Sequence, residues 1–276
     1  MAEAFLTRTE RLSRYGVRVF AAAVLAFLVA PIIVVIPLSF NQSAYFSYPM
    51  SGFSLQWYEL VFSSSEWRRA ALNSFIVGLS STAIATVLGT LAAMGLSRPA
   101  FPFRSLIMPF LVSPMIIPIV VVAVSLYLVF SPLGLVNSYA GLILAHAALG
   151  TPFVVITVTA TLMSFDRNLS KAAANLGASP WVAFRRVMLP LIMPGVATGA
   201  IFAFATSFDE VIVTLFLAGA EQRTIPRQMW TGIRDQINPS ILALATLLTI
   251  FAVLLFMVID WLGARNVRPA PRVEAE

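Results

Sequence analysis

Asp209 and Glu210 are the residues of this 276-residue chain best placed to do chemistry, two adjacent carboxylates inside a strongly apolar stretch. They stand in SFDEVIVTLFLAG, and no other charge lies between Arg186 and Glu221. An ionisable group at membrane depth costs about 2.5–3.5 kcal/mol on insertion scales, so it faces the protein interior or a water path. A carboxylate on a translocation route attracts a cationic solute. The structural alternative is an ion pair with Arg223 or Arg227, or with a charge on a partner subunit. Successive helical residues point about 100° apart, so only one of the two is expected to line such a path. Phe204 and Phe208, one turn apart, are candidates for an aromatic gate beside Asp209. His146 is the single histidine and has no acidic neighbour in sequence, so it reads as a hydrogen-bonded packing residue rather than a proton relay.

Other chemistries lack their residues. A phosphate-binding G-x-x-x-x-G-K-[ST] loop needs a lysine, and the only one, Lys171, sits between Ser170 and Ala172. There is no H-E-x-x-H, no G-x-S-x-G and no cysteine, hence no thiolate metal site, no cysteine nucleophile and no disulfide. The chain is expected to be neither an enzyme nor a holder of a cofactor or metal.

The elements that must position Asp209 and Glu210 are membrane helices. Hydrophobic residues make up 59% of the chain and charged ones 11%, against about 45–50% and about 25% in soluble domains. Residues 105–165 carry no charge, nor do 19–58, 70–97 and 236–259. Six stretches of spanning length follow: 19–40, 71–95, 106–130, 140–163, 191–218 and 241–262. The fold class is all-α integral membrane, since a barrel would show alternating strands of about ten residues. Prolines 31 and 37, with no clear cleavage site, make the first stretch a retained anchor rather than a signal peptide. Pro109, Pro114, Pro118, Pro152 and Pro194 are expected to kink helices, and Gly195 and Gly199 form a small-x-x-x-small packing pair.

Net charge is +6, which tempts a nucleic-acid reading, but topology explains it better. With a cytoplasmic N-terminus, thirteen basic residues fall inside, among them Arg98, Arg104, Arg167, Lys171, Arg185 and Arg186; five (Arg68, Arg69, Arg223, Arg227, Arg234) fall outside. Both termini are then cytoplasmic, with an N-terminal segment at 1–18, a six-span transmembrane domain at 19–262 and a tail at 263–276. Asp260 lies near the inner end of the last span and can snorkel. Trp57, Tyr58, Trp67 and Trp230 fall near the outer boundary.

The inner segment 164–190 reads SFDRNLSKAAANLGASPWVAFRRVMLP. Asn168 or Ser170 can cap a short Ala-rich helix, Gly177 can end it in the left-handed conformation, and Ser179-Pro180 can open a second helix through Val187. Pro190 marks entry into the membrane. The plain alternative is an amphipathic interfacial helix.

This segment resembles the cytoplasmic EAA loop of ATP-binding-cassette (ABC) importer permeases, E-A-A-x-x-x-G followed by nine residues and I-x-L-P. Ala172, Ala173, Gly177, Val187, Leu189 and Pro190 match in register, while the family's Glu is Lys171. FSLQWYELVFSSSEWRRAALNSFIVGLSST and SFDEVIVTLFLAG with IPRQMWTGIRDQINPSILALATLL are similar to polyamine-type permeases, specifically the second permease of spermidine or putrescine importers. The resemblance implies a type I importer fold whose helix-turn-helix loop docks on an ATPase and transmits its closure. It implies a heterodimer with a second permease, two ATP-binding subunits that use ATP and Mg, and a periplasmic binding protein received by segments 41–69 and 219–239. It places the chain in a bacterial inner membrane, in contact with lipid and not with nucleic acid. Lys171 removes the ion pair the usual Glu would make, and the ATPase is expected to carry a complementary change. Related systems carry opines, amino-acid derivatives and other small solutes, which stand as alternative cargo. A self-sufficient secondary transporter is the other class; no internal repeat is visible, and the loop would then be unexplained.

Overall fold

A computed structural model describes residues 8–45, 47–98, 101–235 and 238–266. Among these the chain is helical, with no strand beyond one isolated bridge, Asn41 to Phe53. The helices are α1 (Arg8–Leu38), α2 (Gln56–Ser63), α3 (Ser65–Leu96), α4 (Arg104–Val112), α5 (Ile119–Phe130), α6 (Tyr139–Met163), α7 (Arg167–Asn175), α8 (Pro180–Ala183), α9 (Leu189–Asp209), α10 (Ile212–Leu217), α11 (Ile225–Asp235) and α12 (Ser240–Asn266). Among the described residues five helical runs are long and apolar enough to cross a membrane, or six where the bent pair α4–α5 counts as one span.

The chain divides into two compact units. The smaller comprises residues 1–63 and 235–252. Its α1 runs without a break from Arg8 to Leu38. None of the apolar window Leu12–Leu38 is buried. The loop after it is organised by buried Asn41, whose side chain accepts from Ser43 N, Ser51 N and Ser51 Oγ and donates to Ser47 O. Phe40 stacks on Phe53, and Trp57 Nε1 donates to Asn41 O. Residues 1–7 and 267–276, and the side chain of Asp260, lie outside the described residues.

The larger unit, residues 64–234 with 253–276, carries the functional segments. Helix α6 packs between α3 and α9. Both neighbours turn a four-spaced row of small residues inward: Ser81, Ala85, Gly89 and Ala93 on α3, Gly195, Gly199, Ala203 and Ser207 on α9, all buried. Where water supplies no hydrophobic drive, helices associate through close van der Waals contact, which small side chains permit. A Cβ on Gly89 would stand 2.7 Å from Val154 Cβ, and one on Gly199 would stand 2.8 Å from Val154 Cα. The Gly195/Gly199 pair therefore serves packing within this chain, against α6.

Two side-chain contacts fix the direction of the helices. Tyr139 Oη donates to Asn73 Oδ1 at 2.7 Å, joining the starts of α6 and α3. Arg167 donates to Ser97 O, joining their far ends. Helices α3 and α6 thus run parallel, and the chain between them has to cross back once. It does so as α4 and α5, which meet at 102° instead of forming the single helix expected over 106–130. The break falls in Ser-Pro-Met-Ile-Ile-Pro: Pro114 sits in a 3₁₀ turn and Pro118 precedes α5, where a missing N–H does no harm. Pro109, Pro152 and Pro194 remain inside helices.

The expected span 191–218 also differs at both ends. Helix α8 runs through a π turn (Phe184–Met188) directly into α9, so the second loop helix and the span are one rod, Pro180–Asp209. The wider turn accommodates Pro190, whose ring would crowd the carbonyl of Arg186 in a regular helix. At its other end the rod stops at Asp209, and α10 starts afresh at Ile212.

Candidate functional site

The loop between α6 and α9 is a helical hairpin with both turns capped. Asp166 Oδ1 accepts from Asn168 N at 2.9 Å, so Asp166 caps α7 in place of the expected Asn168 or Ser170. Gly177 has φ +83°. Ala178 N donates to Ala173 O and Gly177 N to Ala174 O, the pair of bonds that closes a helix through a left-handed residue. Ser179 Oγ accepts from Val182 N, with Pro180 in the first turn of α8. Lys171, Ala172 and Gly177 are exposed, Ala173 is half-buried, and Val187 and Leu189 are half-buried beside exposed Pro190. Around the Gly177 turn two large apolar side chains are bare, Leu176 at 89% and Trp181 at 65% exposure.

The carboxylates lie at a break, not within a continuous helix. Glu210 is extended at ψ 118°, and its Oε1 accepts from Val213 N at 2.8 Å, capping the start of α10. Arg227 sits at the other end of α10 and donates to Ala218 O and Gly219 O. A carboxylate at the N-terminus and a guanidinium at the C-terminus both complement the helix dipole. Burial, then the neighbouring Arg223, lowers the Arg227 pKa below its ordinary value. The expected alternative of an ion pair from Asp209 or Glu210 to Arg223 or Arg227 is not formed. The ion pair among the described residues joins Arg69 and Glu221. Asp209 is exposed on the surface of this chain. Behind it Phe208 stacks on Phe204 with centroids 5.3 Å apart and meets Phe75 edge-on at 5.4 Å.

His146 holds the break together. It is 1% exposed, with Nδ1 2.8 Å from Ser207 Oγ on α9 and Nε2 3.1 Å from Thr214 Oγ1 on α10. Thr214 Oγ1 also reaches Glu210 O at 3.2 Å, so the hydroxyl has a backbone acceptor within its own turn. Ser207 Oγ in turn lies 3.1 Å from Ser81 Oγ, which also reaches Gly78 O at 3.1 Å. This chain of bonds ties α3, α6, α9 and α10 and agrees with a hydrogen-bonded packing role for His146. Its partners Ser81, Ser207 and Thr214 escape a sequence reading, because a lone hydroxyl in an apolar run carries no periodic signal. Helix α9 runs antiparallel to α6 and ends beside His146, seven residues from the Tyr139 end. At 1.5 Å per residue, Asp209 stands about 10 Å inside that end.

Comparison with known proteins places this geometry. Residues 85–268 match the family described as binding-protein-dependent transport system inner membrane component. The spermidine/putrescine transport system permease protein PotC of Escherichia coli K12 is 34% identical over 256 residues, covering 93% of this chain and 95% of that one. The putrescine transport system permease protein PotI of the same strain is 33% identical over 230 residues, covering 80% and 81%. A crystal structure of a bacterial ABC transporter involved in import of the acidic polysaccharide alginate shares the fold, with a TM-score of 0.75 at 18% identity, over 93% of this chain and 98% of that one. With the family match extending over most of the chain and the relatives over nearly all of it, the protein belongs to the inner membrane components of binding-protein-dependent transport systems.

Proposed function

We propose that the chain forms half of the translocation path for a polyamine of the spermidine or putrescine kind, driven by a separate ATPase. As a family member it is a multi-pass ABC importer permease of a bacterial inner membrane. The Arg167 end faces the cytoplasm in this reading, in keeping with the excess of Lys and Arg there. The permease domain occupies residues 19–262, preceded by the segment 1–18 and followed by the tail 263–276.

The energy enters at the hairpin 164–190. Lys171, Ala172, Ala173 and Gly177 form its docking arm, and Val187, Leu189 and Pro190 carry its movement into α9. Bare Leu176 and Trp181 beside a left-handed turn are the observation that carries this docking role. Leu and Trp exposed together outside the membrane call for a protein surface to cover them. Because α8, the π turn and α9 are one rod, a push on the hairpin travels to Asp209 without a flexible joint. Two ATP-binding subunits supply ATP and Mg chemistry, a second permease completes the pore, and a periplasmic binding protein docks on segments 41–69 and 219–239. The chain itself does no catalysis and binds no cofactor.

The cargo reading rests on the likeness to PotC and PotI together with Asp209. An exposed carboxylate about 10 Å in from the Tyr139 end of α6, with Phe204 and Phe208 stacked beside it, offers an anion and aromatic faces to a passing ammonium group. Glu210 is committed to α10, so Asp209 is the one that lines the path. The experiment purifies the complex with Ala173→Trp. Loss of the ATP-binding subunit from the purified complex is expected; its full retention would refute the docking role.

A further inference from the structure

At the Arg167 end a cavity of about 290 Å³ opens behind α7, between the ends of α3 and α6 and the π turn. Three cations line it: Arg98, Arg167 and Lys171. No carboxylate pairs with any of them among the described residues. Ser97 and Ser170 also line it, and their Oγ atoms are buried with no hydrogen-bond partner. Its remaining wall is apolar, with Leu162, Phe165 and Met188. A second cavity shares Ser97, Phe165 and Arg167 and adds Arg104. The positive-inside rule accounts for basic residues at this end, but not for their convergence on one cavity with two orphaned hydroxyl donors. A buried hydroxyl without a partner costs about 1–3 kcal/mol. An anion with several acceptor oxygens offers the cations a counter-charge and, once the two serine side chains turn toward it, gives both hydroxyls an acceptor.

We propose that this cavity binds the phosphate of an anionic phospholipid, with the first carbons of its acyl chains against the apolar wall. The apolar helices α3 and α6 end at Leu96 and Met163 with Arg98, Arg104 and Arg167 just beyond, the pattern of spans that meet a headgroup layer. Basic pockets between membrane helices at that level suit anionic headgroups, and its volume is near the lower end of the range for ligand sites, about 300–1,000 Å³. This gives Lys171, the residue that departs from the family pattern, a partner of its own. The lipid would then brace the docking arm against the ends of α3 and α6. The inference does not depend on the polyamine reading.

The test uses the full chain in nanodiscs of phosphatidylcholine with a minor share of phosphatidylglycerol, and native mass spectrometry to count retained phosphatidylglycerol. The wild-type chain is expected to retain it selectively. Ser97→Ala with Ser170→Ala leaves the charge unchanged and is expected to lose that selectivity. Arg98→Gln with Lys171→Gln should weaken retention by about fivefold per cation. Arg185→Gln with Arg186→Gln removes the same charge outside the cavity and should leave retention unchanged. Equal losses in the two arginine-bearing double variants, or no loss in the serine pair, would overturn the proposal in favour of a diffuse basic surface. Displacement of the lipid by inorganic phosphate would assign the site to a free anion instead. Expulsion of the lipid once the ATP-binding subunits join would assign it to an acidic side chain of the ATPase.

Discussion

Replacing His146 by Phe removes both bonds across the α9–α10 break while keeping the volume filled. The partners are buried, Ser207 at 4% and Thr214 at 0% exposure, so neither recovers a bond to water. Each retains one other contact, Ser207 with Ser81 and Thr214 with Glu210 O, which moderates the loss. Side-chain hydrogen bonds between membrane helices average about 0.6 kcal/mol and reach about 1.7, so the two together are worth about 1–3 kcal/mol. At about 2–4 °C per kcal/mol for a chain of this size, the melting temperature in detergent should fall by about 2–12 °C. His146→Gln, which keeps one donor and one acceptor, should recover part of that. A His146→Ala, Thr214→Ala double-mutant cycle should show coupling, as expected of groups in contact. Because the natural chain has no cysteine, single cysteines placed on α10 and α6 report the distance across the break without background. That distance should broaden in His146→Phe. A variant as stable as wild type, with an unchanged distance, would refute the clamp.

Other perturbations separate the remaining roles. Gly199→Leu puts a side chain where even a Cβ meets Val154 Cα at 2.8 Å and Thr157 Oγ1 at 2.5 Å, so it should destabilise the helix pair by about 1–3 kcal/mol or more in thermal denaturation. Asp209→Asn should raise the concentration needed for half-maximal polyamine uptake with little change in melting temperature. Glu210→Gln weakens the cap of α10 and should do the reverse, lowering the melting temperature. Gly177→Val forces a β-branched residue into φ +83° and should uncouple ATP hydrolysis from uptake in the assembled complex, leaving insertion intact.

Much of this architecture is legible in the sequence because apolar length, basic flanks and capping residues act locally. The Gly177 turn, the Ser179-Pro180 start and the close packing at Gly195 and Gly199 follow from steric rules that need no tertiary information. Hydropathy, however, measures how much apolar surface a stretch has and not its direction. Residues 106–130 read as one span although Pro114 and Pro118 divide it, and 191–218 reads as one although Glu210 turns back to cap a new helix. In sequence Glu210 is half of a charged pair, and only its bond to Val213 N separates it from Asp209. Asp166 escapes notice as a cap because the Ala-rich stretch draws the expected start to Asn168 or Ser170, two to four residues later. Clustering of Arg98 with Arg167 and Lys171, which lie 69 and 73 residues further on, depends on the parallel course of α3 and α6, which no local pattern reveals.

Uptake of radiolabelled spermidine by proteoliposomes tests the central claim most directly. They would contain this chain, its partner permease, the ATP-binding subunits and the binding protein. Uptake is expected to require ATP and the binding protein, to fall sharply with Asp209→Asn and to be competed by putrescine but not by a neutral sugar. Spermidine uptake that proceeds without the ATP-binding subunits, or an assembled complex that hydrolyses ATP yet moves no polyamine, would contradict the account.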